Sequence, residues 1–285
     1  LQVGSKLMCG CAIGDGVSVV WTDAALYVFQ YTGSDFVYDS RVAARNCGPI
    51  SQKAFEVSNA TAFWMSGSDF WMFSGSAQLV PNQDDVKDYV FKRIDPNNAG
   101  KTWCEYDELN NQIRWYYCSY GSDEPDSYVD VEVGGSWAWT TGTLDRTTGC
   151  SFRDSAQQTS LRVDWNGYIY QHNIGVNANG TAMNSYIMFG LYKMADGAAN
   201  VDVFGMIPDT KRQAGSLTYE IYTKDRPNAD AIFDQQTVAV APTDKIADLR
   251  VSGRHFGMTV RSNVVDGDYR LGIISLEVQP AGLRR

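Results

Sequence analysis

Residues 62–75 read A-F-W-M-S-G-S-D-F-W-M-F-S-G. Residues 62–65 form the end of an apolar strand, 66–69 a turn and 70–73 a second apolar run, which Ser74 and Gly75 break. Gly67 and Asp69 supply the backbone freedom and local side-chain hydrogen bonds that a turn needs. Aromatics on both arms suit a pleated, packed surface. The stretch predicts a β-hairpin.

The same arrangement returns along the chain. V-V-W-T-D at 19–23 leads through two alanines into L-Y-V-F at 26–29. I-R-W-Y-Y at 113–117 leads through a long acidic loop into S-Y-V-D-V at 127–131, and R-V-D-W-N-G at 162–167 leads into Y-I-Y at 168–170. Trp21, Trp64, Trp115 and Trp165 are therefore spaced by 43, 51 and 50 residues. An all-strand repeat of about 40–50 residues predicts four-stranded β-propeller blades, with these four tryptophans as blade packing. The competing reading is four unrelated aromatic hairpins in a sandwich.

The chain has 285 residues, room for one large β domain or two smaller ones. No apolar stretch approaches the roughly 18 residues of a membrane span, so no membrane association is expected. No charged-then-apolar leader is visible. The chain opens on Leu1 rather than Met, as expected of a trimmed product of a longer gene whose upstream part is missing, so that the set of blades here is incomplete if more are encoded there. A net charge of −9 repels phosphate backbones and argues against ordinary nucleic-acid binding. It leaves open a passage through which nucleic acid slides. Cys9, Cys11, Cys47, Cys104, Cys118 and Cys150 lack metal-finger spacing and are expected to be reduced, packed thiols. Cys104 and Cys118 flank one hairpin.

In chain order, strands at 6–13, 17–21, 26–31 and 36–41 are expected to make a first blade, with turns at 14–16, 22–23 and 32–35. N-C-G-P at 46–49 breaks the chain before the second. Residues 83–93 are more polar, with Val86, Tyr89 and Val90 at helical spacing. The third blade runs from a strand at 103–106, around Asn110 and Asn111, to a short aromatic strand at 136–139. Its strand at 128–133 alternates apolar and acidic residues, which suits one wet face. Strands at 150–152, 161–163 and 168–170 form the fourth. Beyond residue 182 the tryptophans stop. Alternating stretches at 185–191, 201–206, 217–222, 232–240, 246–251, 255–260 and 269–278 predict a compact antiparallel sandwich. The expected organisation is all-β: propeller blades over 1–182 and a β-sandwich over 183–285.

Catalytic motifs fit poorly. Gly100, Lys101 and Thr102 resemble the end of a phosphate-binding loop, but Asp95 stands where the first glycine is needed and a strand follows. Gly14, Asp15 and Gly16 read as a hairpin turn. His172 and His255 read as strand-edge residues. Carboxylate pairs for glycoside cleavage come from distant strands, yet Asp23, Asp69 and Asp164 read more simply as turn residues. Asp266, Gly267 and Asp268 read as a tight turn, and Asn59 and Asn179 head formal glycosylation sequons.

Several stretches resemble the tail hub, or nozzle, proteins of short-tailed bacteriophages, also labelled packaged-DNA stabilisation proteins. They are V-W-T-D-A-A-L-Y at 20–27, N-C-G-P-I-S at 46–51 with A-F-W-M at 62–65, D-Y-V-F at 88–91, T-G-T-L-D-R at 141–146, and D-Y-R-L-G-I at 268–273 with L-E-V-Q-P at 276–280. The resemblance covers nearly the whole chain, and its motifs are structural. It implies a virion protein of the tail, assembled in the bacterial host cytoplasm as a hexameric ring below the portal and adaptor. Such a ring grips spikes or fibres and closes or conducts the DNA channel. It implies no catalysis, no cofactor and no metal. Cys9, Cys11 and Cys104 match no role in that family. Six copies at −9 give −54, a charge that would centre a passing duplex without specific binding. The acidic loops expected to line the channel hold Asp84, Asp85 and Asp88, and Asp123, Glu124 and Asp126. The alternative reading is a carbohydrate-binding propeller or a glycoside hydrolase acting on host surface polysaccharide.

Overall fold

A computed structural model describes residues 2–283 apart from 15, 34, 36, 155–156 and 195–198. Asp15, Ser34 and Phe36, assigned above to two turns and a strand start, lie outside the described residues. The chain is all-β, built from several small antiparallel sheets. It divides into two units, Leu1–Asn173 and Ile174–Arg285, so the division falls ahead of the expected residue 182.

The first unit holds four consecutive up-and-down sheets. Sheet one is β1 (Leu7–Gly14), β2 (Val17–Thr22), β3 (Ala25–Tyr31) and β4 (Tyr38–Arg45). Sheet two is β5 (Phe55–Ser58), β6 (Thr61–Met65), β7 (Phe70–Phe73) and β8 (Ala77–Leu79). Helix α1 (Asp84–Phe91) and a 3-10 turn (Ala99–Lys101) follow. Sheet three is β9 (Trp103–Asp107), β10 (Gln112–Tyr117), β11 (Ser127–Glu132) and β12 (Trp139–Thr143). The fourth sheet has three strands, β13 (Thr148–Asp154), β14 (Gln157–Val163) and β15 (Ile169–His172).

The opening hairpin is the hinge of this packing. Strand alternation sends Ala62, Trp64 and Phe73 into a core shared with sheet one, beside Val19, Trp21, Leu26 and Val28. It sends Phe63, Met65 and Phe70 into a second core shared with sheet three, beside Ile113, Trp115, Val129 and Val131. Sheet two is thus buried on both faces, which is why 62–73 tolerates so few polar residues. Trp21 meets Trp64 edge-on at 5.3 Å, and Phe70 lies 5.0 Å from Trp115. Indole N–H groups anchor the connecting stretch: Trp64 Nε1 donates to Cys47 O at 2.6 Å and Trp115 Nε1 to Ala54 O at 3.1 Å. Gly48 passes so close to sheet one that a Cβ there would lie 2.2 Å from Asp23 O. Asp84 and Asp85 sit in the first turn of α1, where negative charge is favoured. Gln83 closes the turn beneath, accepting from Phe70 N and donating to Phe70 O and Val80 O.

The second unit begins with the two-residue strands β16 (Asn177–Ala178) and β17 (Thr181–Ala182), followed by β18 (Ser185–Lys193), β19 (Ala199–Ile207), β20 (Thr210–Ala214), β21 (Leu217–Lys224), β22 (Asp234–Val240), β23 (Ala247–Gly253), β24 (His255–Ser262), β25 (Asp268–Leu271) and β26 (Ser275–Leu283). A four-stranded sheet in the order β18-β24-β21-β22 and a three-stranded sheet in the order β23-β19-β26 share one core, with Val201, Val203, Tyr219, Ile221, Leu249, Val251 and Val260 at its centre. The expected strand over 269–278 is two, β25 and β26, because Gly272 N and Ile273 N turn onto Asp209 instead of a neighbouring strand. Strand β20 was not expected.

Candidate functional site

Sheet three carries a second, polar face. Trp103, Glu105 and Asp107 on β9, Arg114 and Tyr116 on β10, and Tyr128 and Asp130 on β11 are cross-strand neighbours opposite to the apolar set. The acidic residues of β11 were expected to meet water. Asp130 is instead buried against Arg114, whose Nε and Nη2 donate to Asp130 Oδ2 at 2.9 and 2.7 Å.

Sheet four faces this surface with Arg162. In β2 and β6 the next-to-last residue is a buried tryptophan, Trp21 or Trp64; in β14 it is Arg162, 0% exposed. The expected packing residue, Trp165, is 63% exposed in the turn after β14. The assignment of Trp165 to blade packing is therefore corrected. Asp164 takes the turn, accepting from Tyr168 N and Tyr170 OH, and so moves Trp165 past the strand end. Trp21, Trp64 and Trp115 are fully buried.

Arg162 Nε donates to Glu105 Oε1 at 2.6 Å, Nη2 pairs with the same oxygen, and Asp107 Oδ2 lies 3.9 Å away. Tyr116 OH donates to Glu105 Oε1 at 3.3 Å, and the Trp103 ring stacks on Tyr116 at 4.3 Å. Gly149, opposite Arg162, makes the approach possible: a Cβ there would lie 2.8 Å from Arg162 Cγ and 3.2 Å from Trp103 Cη2. Asp107 also accepts from Leu109 N and Asn110 Nδ2, closing the β9–β10 turn. At the rim, Arg146 Nε donates to His172 Nε2 at 2.9 Å and its guanidinium covers the Tyr170 ring at 4.1 Å.

Burial raises the Asp130 carboxyl, and Arg114 opposes that shift. Burial, then Glu105, pushes the Tyr116 phenol up. Burial and the positive charges of Arg162, Arg146 and Arg114 lower His172 to about 3, so its ring is neutral and Nε2 can accept from Arg146. Charges in such a place are tolerated because they are paired. Each of Glu105 and Asp130 is held by an arginine, so the cluster clamps two sheets and presents no open carboxylate pair to a substrate. Among the described residues, no group of three or more His, Cys, Asp or Glu is arranged to hold a metal ion.

A cavity of about 580 Å³ in the first unit is lined by Lys6 and Met8, Ser51 and Lys53, Lys101 and Trp103, and Thr147; Met8 lies on β1 and Trp103 on β9, and the others come from the stretches between strands. Of the six acids proposed as channel lining, only Glu124 borders it, and Glu124 pairs there with Lys101 at 3.1 Å. Asp126 accepts from Ser119 N and Oγ, Asp84 pairs with Lys87, and Asp88 with Lys92. Asp85 and Asp123 are exposed. His255 Nδ1 lies 3.3 Å from Lys224 O, at a strand pairing. All six cysteines are free thiols; Cys47, Cys104 and Cys118 are buried, whereas Cys150 is exposed and departs from the packed set expected.

Motif reading missed Glu105, Asp107, Arg114, Asp130 and Arg162. A usable signal was present: aligned on the turn aspartates Asp23 and Asp164, Arg162 stands where Trp21 stands. No model of a known protein family matches the chain, and no curated protein matches it.

Proposed function

We propose that this chain is a structural virion protein of a short phage tail, a subunit of the hub or nozzle ring that closes and conducts the DNA channel. In this reading the four sheets of the first unit are propeller blades and the second unit is a β-sandwich. Copies assemble as a ring, six-fold by the family resemblance, that carries adaptor and spike or fibre proteins and lets DNA pass without specific binding. The observation that carries the reading is the continuous stacking of successive sheets. Sheet two is buried on both faces and a buried ion cluster locks sheet four to sheet three, which makes a stiff scaffold. The net charge of −9 supports a low-friction passage. Electron microscopy of the purified full-length protein with its adaptor ring tests this. Closed rings and weak DNA retention at low salt are expected; a persistent monomer or tight, salt-sensitive DNA binding overturns it.

A second reading, a carbohydrate-binding module, is favoured by one observation: Trp165 and Tyr168 are both exposed on one turn. Aromatic faces on a rigid turn suit stacking against sugar rings. Binding of host polysaccharide that disappears in Trp165→Ala supports it, and release of reducing ends would point to hydrolysis.

A further inference from the structure

Strand β18 is an edge strand unlike the others in its unit. It pairs only with β24, and among the described residues its other side has no partner. Its sequence, S-Y-I-M-F-G-L-Y-K, carries no charge before Lys193. Tyr186, Ile187, Met188, Phe189 and Tyr192 are all at least 42% exposed.

The other edges of these two sheets are guarded. Strands β22 and β23 seal each other through side chains, with Arg250 N donating to Gln236 Oε1 and Ser252 N to Asp234 Oδ2. Strand β26 carries Glu277 and Pro280, and both residue types discourage strand addition. Beside β18 an apolar groove of about 350 Å³ is lined by Phe189, Tyr192, Phe256, Met258 and Ile273, the last 82% exposed. An open, uncharged, apolar edge accepts another strand.

We propose that β18 pairs antiparallel with β18 of a second copy of this chain, about a two-fold axis at Ile187. Two-fold pairing demands a self-complementary strand, and this one complies. A bulge between Phe189 and Tyr192 confines regular pairing to 185–189. Centred on Ile187, that segment sets Ile187 against its equivalent, Tyr186 against Met188 and Ser185 against Phe189. Each opposing pair shares a face, and no charge meets a like charge. The bulge turns Tyr192 to the side of Phe189, over the groove, where it adds apolar cover. The surface is also large enough. At about 200 Å² per large side chain, the five strand residues and Ile273 expose roughly 700 Å². Specific interfaces bury about 600–1,000 Å² per partner, and this surface falls in the lower part of that range. The contact is isologous, whereas ring closure uses a heterologous one, so the pairing stands independently of the ring reading.

The test compares the mass of the parent protein and Ile187→Lys by light scattering, with near-ultraviolet circular dichroism to confirm that the variant is folded. The variant should have half the mass of the parent, whatever ring either forms. Equal masses, or a monomeric parent at its highest soluble concentration, overturn the proposal. The register is read in a Cys150→Ser background under mild oxidation. Ile187→Cys should yield a covalent dimer, because directly opposed strand positions lie within disulfide reach. Phe189→Cys should cross-link with Ser185→Cys and not with itself. Efficient self-linking at 189, or none at 187, refutes the pairing.

Discussion

Replacing Arg162 with methionine removes the charge that ties sheet four to sheet three and keeps most of the side-chain volume. Arg162 is fully buried, donates to Glu105 at 2.6 Å and faces Asp107 at 3.9 Å. Its loss leaves Glu105 buried, with Tyr116 OH as the one side-chain donor described at its Oε1. Breaking a buried pair from one side costs about 3–5 kcal/mol, mostly because the surviving charge stays desolvated. In a unit of this length, each kcal/mol moves Tm by about 2–4 °C. A fall of roughly 6–20 °C follows. Urea unfolding followed by tryptophan fluorescence should show a lower midpoint with an unchanged slope. Glu105→Gln in the same background removes the stranded charge and should recover a good part of the loss, giving a coupling energy of about 1–3 kcal/mol in the double-mutant cycle. If Arg162→Met costs less than about 1 kcal/mol, or the cycle shows no coupling, the cluster does not lock the sheets.

Trp64→Ala should cost about 3–5 kcal/mol, while Trp165→Ala should stay within about 0.5 kcal/mol of the parent; equal losses in denaturant unfolding would contradict the burial contrast between them. His172 is depressed to about 3 in the fold, against about 6.5 in the unfolded chain. Protonation therefore favours unfolding: the His172 contribution is complete above pH 6.5 and is lost as pH falls from there toward 3. Unscreened, it would amount to about 2 kcal/mol between pH 7 and 5, and solvent screening at this half-buried site brings it to about 1 kcal/mol or less. His172→Gln should flatten that part of the stability–pH curve, and an unchanged slope would assign it to other groups. In native protein, maleimide should modify Cys150 first. Cys47 and Cys118, pushed up to about 11 by burial, should react only on unfolding. Mass spectrometry of timed digests separates the two orders.

The repeat along the first half was legible because tertiary stacking imposes a sequence rule. A strand buried on both faces can carry almost no polar side chain, and 62–65 and 70–73 obey it. Trp21, Trp64 and Trp115 were readable for the same reason: each second strand must fill the space between two sheets. The helix after β8 was visible from the spacing of Val86 and Val90, which pack on the core between sheets two and three. Trp165 misled because counting from tryptophan to tryptophan ignores where the strand ends. Asp23 follows Trp21 by two residues, whereas Asp164 begins its turn one residue before Trp165, and so this tryptophan falls outside the strand.

The alternation of apolar and turn residues determined by itself that the chain is all-β, that its first half repeats, and that its composition changes texture near the unit division. The ion cluster was decided only in three dimensions. Glu105, Arg114, Asp130 and Arg162 look like solvated strand positions when read along the chain, since a period of two says which residues share a face and not what covers it. Only the approach of sheet four, made possible at Gly149, turns that face from wet to buried and makes the pairing of its charges obligatory.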